Sequence, residues 1–196
     1  NPYFSLLGQY NSANKPPISS SGYGYAQSIT LYDADGTAHS ATIYFDGAPS
    51  TDTGTTVEYM VAADADSNGG TAQAIMMGTM SFNSKGELTG MSAFTPSTAG
   101  STDLADWNAA TLSANGLPQM TANGSTVTLN LGISATGGWQ NTPGNAASVG
   151  TDPNALASMG NAYTRATDAT TNYTSSSPVL RTKSQDGYAS GTLNNI

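Results

Sequence analysis

The chain has 196 residues, enough for one large domain or two small ones with a real core, and it carries 13 acidic side chains against 5 basic ones. Its cations, Lys15, Lys85, Arg165, Arg181 and Lys183, are too few and too scattered to track a phosphate backbone or settle on an anionic bilayer, so nucleic-acid and membrane-surface partners are excluded. Cysteine is absent, which removes disulfides, thiolate zinc sites and thiol nucleophiles.

In chain order, residues 1–27 hold Pro2, Pro16 and Pro17 with Tyr3, Phe4, Leu6 and Leu7 as apolar anchors, and read as an extended segment lying along a domain. From Gln27 short strand patterns alternate with turn signals. Ile29 and Leu31 alternate with Thr30 and Tyr32, Asp35-Gly36 turns the chain, and Ala41, Ile43 and Phe45 alternate with Thr42 and Tyr44. That pattern predicts a hairpin. A further strand sets Val57, Tyr59 and Val61 against Glu58, Met60 and Ala62. A second hairpin runs from Ala74 to Phe82, through Lys85-Gly86, and back over Glu87 to Met91.

Residues 95–116 are polar and irregular, with one helical turn expected over Asp103–Ala110 around Trp107. Pro118–Ala122 and Ser125–Ser134 flank Asn123-Gly124 and read as a third hairpin, its second strand carrying Val127, Leu129, Leu131 and Ile133. Residues 135–177 show little periodicity, apart from a short helix expected over Pro153–Met159 with Asp152 as N-cap and Pro153 at its first position. Pro178–Lys183 reads as a closing strand. The fold class is therefore all-β: an antiparallel sandwich or barrel-like domain with long irregular loops and little helix. No run reaches the roughly 18 apolar residues of a membrane span. The chain opens on Asn1 rather than Met, and reads as an excerpt or a processed product.

Candidate chemistry is thin. His39, the single histidine, sits just past a hairpin turn, where a structural hydrogen bond to the turn accounts for it; zinc needs three or four N or S ligands. Asp64-Ala-Asp66-Ser-Asn68-Gly69 matches the first half of a calcium loop, but the twelfth position falls on Ile75 instead of a bidentate Glu. An acidic turn explains the same letters, so calcium here is expected to be weak and incidental. Asp33, Asp35, Asp46, Asp52, Asp64, Asp66 and Asp186 all fall in apparent turns, where Asp serves the backbone, which argues against a glycosidase-like acid pair. Trp107 and Trp139 admit two readings, a sugar-binding platform or covers for sheet edges under long loops, and the second is preferred. Asn123-Gly-Ser and Asn172-Tyr-Thr match the N-glycosylation pattern and are read as chance matches. No catalytic, cofactor-binding or metal-binding residue is assigned, and no enzyme is expected.

Two stretches bracket the body of the chain: Ile29-Thr-Leu-Tyr-Asp-Ala-Asp-Gly-Thr-Ala-His-Ser-Ala-Thr-Ile-Tyr-Phe45, and Gln185-Asp-Gly-Tyr-Ala-Ser-Gly-Thr-Leu193. Together with Phe82, Gly86 and Leu88 of the second hairpin, they resemble the bacterial flagellar hook protein. The resemblance is strong over residues 29–45, 80–88 and 185–193, whereas 95–122 and 135–177 match no hook pattern and look like insertions. It implies an outer, surface-facing portion of the subunit without the terminal helical segments. Residues 1–27 would be the extended junction with the inner domain, 28–184 the outer β domain and 185–196 the return segment.

What the resemblance further implies is a structural subunit of an extracellular curved tube, a universal joint passing motor torque to the filament. Its partners would be other copies of itself in a helical assembly, the hook cap and the hook–filament junction proteins, with the isolated fragment monomeric. The alternative is an extracellular carbohydrate-binding or adhesin-like β module.

Overall fold

The computed structural model describes residues 2–32, 36–65, 72–122, 124–130 and 143–158, and the strand backbones at 133–135, 163–165, 171–174 and 177–180. One helix, α1 (Ser5–Gln9), precedes the strands β1 (Tyr25–Tyr32), β2 (Ala38–Ala48), β3 (Gly54–Ala63), β4 (Gln73–Asn83), β5 (Leu88–Met91), β6 (Phe94–Pro96) and β7 (Trp107–Ala109). These strands form a single antiparallel seven-stranded sheet in the order β1-β2-β3-β4-β6-β7, with β5 also on β4. The remaining strands make two-stranded ribbons: β8 (Gln119–Ala122) with β9 (Ser125–Thr128), β10 (Ile133–Ala135) with β11 (Tyr163–Arg165), and β12 (Thr171–Thr174) with β13 (Ser177–Leu180). The protein is all-β and sandwich-like, in line with the strand patterns read from the sequence.

The first hairpin forms with Ile29 opposite Ala41, so the alternation read from the sequence sets the register. The second closes on a turn whose Gly86 sits at φ 76°, a left-handed conformation that glycine adopts without steric cost. Asn83 completes that turn, its Oδ1 accepting from the backbone N–H of Lys85 and Glu87 at 2.9 and 3.0 Å. β5 and β6 lie end to end along one edge of β4, Met91 opposite Met80 and Phe94 opposite Met77. They are in effect one strand broken at Ser92–Ala93.

Both faces of the sheet are covered. Val57, Tyr59 and Val61 of β3 join a core with Ile43, Phe45, Met76, Met80, Phe82 and Leu88, over which the β8–β9 ribbon places Met120 and Val127. On the other face Met60 and Ala62 join Tyr44, Met77, Phe94 and Trp107, and this core is closed by Tyr3, Phe4, Leu6, Leu7 and Ile18. The central strand is therefore buried at both parities, as happens where both faces of a sheet are packed. Ile75 is the extra residue of a bulge, since Val61 faces Met76 while Ala62 faces Ala74.

Several expectations need correction. Within 1–27 the chain is not extended throughout: Ser5–Gln9 are helical and pack on the second face. The helical turn near Trp107 is a 3-10 turn at Leu104–Asp106, capped by Asp103, and Trp107 itself opens β7. The helix expected over Pro153–Met159 is a 3-10 turn at Pro153–Ala155, with the Asp152 cap and the Pro153 position as read. The second strand of the third hairpin ends at Thr128, and Ile133–Ala135 pairs instead with Tyr163–Arg165. Asp46 lies in β2, opposite Glu58, and not in a turn. The closing strand covers Ser177–Leu180, the rest of Pro178–Lys183 lying outside the described residues.

Candidate functional site

A binding or catalytic reading needs polar side chains gathered where a ligand can reach them, and the described residues place their polar groups otherwise. Among the described residues the core admits four polar side chains, Thr56, Glu58, Thr79 and Ser92, and three of these are committed to holding strands and loops together. Glu58 is 1% exposed. One oxygen accepts from the backbone N–H of Phe4 and, at 3.0 Å, from that of Ser5; the other accepts from the Ser5 hydroxyl and, at 2.9 Å, from the Leu6 N–H. Burial pushes this carboxyl above its ordinary value, and the hydrogen bonds from Ser5, Leu6 and Phe4 pull against that shift. With all these donors supplied by α1 and its entry, no face of the carboxylate is left for a substrate. The neighbouring Asp46 therefore makes no acid pair with it of the kind glycoside hydrolysis requires.

The second polar knot lies where β5 breaks into β6. Ser92 Oγ accepts the Thr79 N–H at 2.9 Å and lies 2.7 Å from Thr79 Oγ1, while the Tyr59 hydroxyl donates to Ser92 O at 3.0 Å. Tyr59 reaches across its cross-strand partner Gly78, where an added Cβ would stand 1.9 Å from Ser92 O. Full burial drives the Tyr59 hydroxyl far up from its ordinary pKa, so it remains a neutral donor.

The other residues singled out by the sequence do not converge. His39 is half-buried in β2 opposite Leu31, close to the sheet end, and residues 33–35 of the turn before it lie outside the described residues. Asp64 is exposed just after β3, its N–H bonded to Ser40 O at 2.9 Å and its Oδ1 accepting from Thr42 Oγ1 at 3.5 Å. Asp66 to Gly69 of the calcium-like stretch, Trp139, Asn123 and Asp186 lie outside the described residues, as do the side chains around Asn172. Among the described residues no group of three or more His, Cys, Asp or Glu side chains is placed to hold a metal ion.

Trp107 is fully buried and its indole N–H donates to Ser101 O at 3.0 Å, so it cannot serve as a sugar platform. It anchors a loop instead: Ser101 Oγ donates to Asp106 Oδ2 at 2.6 Å, and Ser97 donates from N–H and hydroxyl to Asp106 O. Beyond it, the segment 143–158 is laid along the edge of the sheet. The Ala109 N–H bonds to Gly144 O at 2.9 Å, Asn108 bridges Asn145, and Ala146, Val149 and Leu156 enter the second core. An edge that would otherwise offer free backbone groups to another strand is thus covered. Sequence reasoning missed Glu58, because its partners lie more than fifty residues away in a segment without strand periodicity.

The described residues line surface depressions of about 510 and 240 Å³. The larger is lined by Gln73, Thr95, Ser97, Thr111, Gln119 and Thr121 with a few apolar neighbours, and no charged residue enters it. Neither has the convergent polar groups of an enclosed ligand site.

Taken from the residues upward, this is a β module whose buried polar groups hold its own strands and loops, in a chain sparing in charge and rich in hydroxyl and amide groups. The chain belongs to the family described as the flagellar basal body protein FlaE D2 domain, whose model matches residues 8–188 and so runs across both stretches read as insertions. No curated protein and no solved structure matches it. Family membership makes the chain part of a flagellar hook protein, a structural component of the bacterial motility apparatus. The family is not one of enzymes; it implies self-assembly into the helical hook tube and an extracellular location on the flagellum.

Proposed function

We propose that this chain is the outer, surface-facing part of a hook subunit, and that it helps the curved tube act as a universal joint, passing torque to the filament while bending. The observation that carries the reading is the family match over residues 8–188. The sequence supports it physically. Subunits of a rotating curved tube slide against one another, so their contacts should be small, polar and wet. A chain with 9% charged residues and abundant Ser, Thr, Asn and Gly allows such contacts without strong ion pairs. In this reading residues 1–27 lead in from the inner domain, 28–184 build the outer domain and 185–196 lead back. Other copies of the chain, the hook cap and the hook–filament junction proteins are its partners.

Because both sheet faces are covered and one edge carries the 143–158 segment, the described residues leave little surface suited to strong association. Multi-angle light scattering at micromolar concentration is expected to return a monomer near the chain mass of 19.9 kDa. Stable dimers or larger species would show that this part of the subunit carries strong contacts of its own, contrary to the sliding interface proposed.

A further inference from the structure

We infer that Glu58 is a positioning residue: a clasp on the central strand that fastens the N-terminal segment across the second face of the sheet. Four observations bear on this. First, α1 has only five residues, too short to persist alone in water, and no side chain of its own caps it. Second, the donors at its start, the N–H groups of Phe4, Ser5 and Leu6, all go to one carboxylate on β3. An anion at this end of a helix also meets the favourable end of its dipole.

Third, Phe4 holds φ 69°, a left-handed conformation unusual for a bulky residue, and its ring packs edge-on to Phe94 at 5.7 Å. Such a conformation persists where the surroundings fix it, and Glu58 and Phe94 fix it from two sides. Fourth, residues 2–23 add no strand to the sheet; the backbone bond from Gly24 N–H to Phe45 O comes at the very end of the segment. What orients the segment is therefore the clasp, the long bond from the Tyr3 hydroxyl to Pro49 O at 3.4 Å, and the apolar contacts of Tyr3, Phe4, Leu6, Leu7 and Ile18. Apolar contact alone is not directional, and the carboxylate, with four donors against the single Tyr3 bond, supplies most of the direction.

The functional consequence rests on the proposal that residues 1–27 lead in from the inner domain. The clasp then joins the incoming chain to the middle of the sheet, and not merely to its edge strand β1, which makes the junction between the two domains stiff.

Hydrogen exchange followed by mass spectrometry on this chain tests the clasp. In Glu58→Gln, whose amide can accept on one side only, exchange at Phe4, Ser5 and Leu6 is expected to rise about tenfold or more, with amides of β3 and β4 changing less than about threefold. Unchanged exchange at residues 4–6, or equal acceleration throughout the sheet, would overturn the inference. Ser5→Ala removes one hydroxyl donor and leaves the backbone donors in place, so it serves if Glu58→Gln does not fold. It should raise exchange in the same residues by about threefold, and no rise there would equally overturn the inference. The measurement needs no assembled tube, so its failure would leave the hook reading intact. Conversely, absence of the protein from hooks would leave the clasp intact.

Discussion

Gly78→Ala is expected to destabilise this protein more than any other single methyl added to its sheet. An ideal Cβ at Gly78 would stand 1.9 Å from Ser92 O, 2.7 Å from Ser92 C and 2.8 Å from the Tyr59 ring. The nearest two atoms are backbone, so the clash cannot be relieved by rotating a side chain. β4 must separate from the break between β5 and β6, and the Tyr59–Ser92 and Thr79–Ser92 bonds are lost with it, leaving buried polar atoms unpaired. Overpacking alone costs about 1–3 kcal/mol, and the unpaired groups add about 1–3 kcal/mol, together a large share of the roughly 5–15 kcal/mol that holds a domain folded. Urea denaturation should show a much lower midpoint or no folded baseline. Gly8→Ala is the control: its Cβ meets nothing within 4 Å and it lies on the exposed side of α1, so the midpoint should stay or rise slightly. Equal midpoints for Gly78→Ala and the parent would show that the strand break is not packed as described.

The second large effect is expected at Trp107. Truncation to Ala removes a side chain with 0% exposure from the second core, where it is packed among residues of the N-terminal segment and the 143–158 segment. Large aromatic-to-Ala changes in such positions cost about 3–5 kcal/mol. The loss should extend beyond the cavity, since the indole N–H holds the 97–106 loop through Ser101. Trp107→Phe keeps most of the apolar volume and gives up that bond, so about 1–2 kcal/mol of the loss should be attributable to it. Thermal melts of the two variants check the order. The same measurement bears on the sugar-platform idea: an exposed tryptophan could be truncated at almost no cost to stability.

The strand content was legible because half-buried strands write a period of two. The first hairpin follows from Ile29, Leu31, Ala41, Ile43 and Phe45, and the observed pairing of Ile29 with Ala41 uses that alternation. The turn at Lys85-Gly86 was legible for a different reason, the left-handed φ that its glycine supplies. β3 shows where the pattern loses information. Val57 to Ala62 reads as alternation, yet both parities are buried, and only knowing what covers the second face reveals this.

That cover comes from a segment with three prolines and no strand period, whose helix starts at a phenylalanine in place of a Ser, Asp or Asn cap. Its capping oxygens come from Glu58, a partner that no local pattern can point to. Ser92 was hidden similarly, since a single polar residue inside an apolar run gives no sign that it breaks a strand. Trp107 was placed correctly as a cover under a loop, because a large aromatic in a polar stretch has to find a core.

The family match was anticipated by residues 29–45 and 80–88, which carry turn residues and apolar residues at fixed offsets, whereas of 185–193 only the first four residues fall within the matched range. Stretches rich in Thr, Asn and Gly carry little of that signal, since such composition suits many surfaces equally well.

The central claim, that this chain faces outward in the flagellar hook, is tested most directly by immunogold electron microscopy on cells of the source organism. Antibody raised against this chain should label intact cells only on the short curved segment between cell body and filament. Gold spread over the cell surface or along the filament, with that segment bare, would contradict the account.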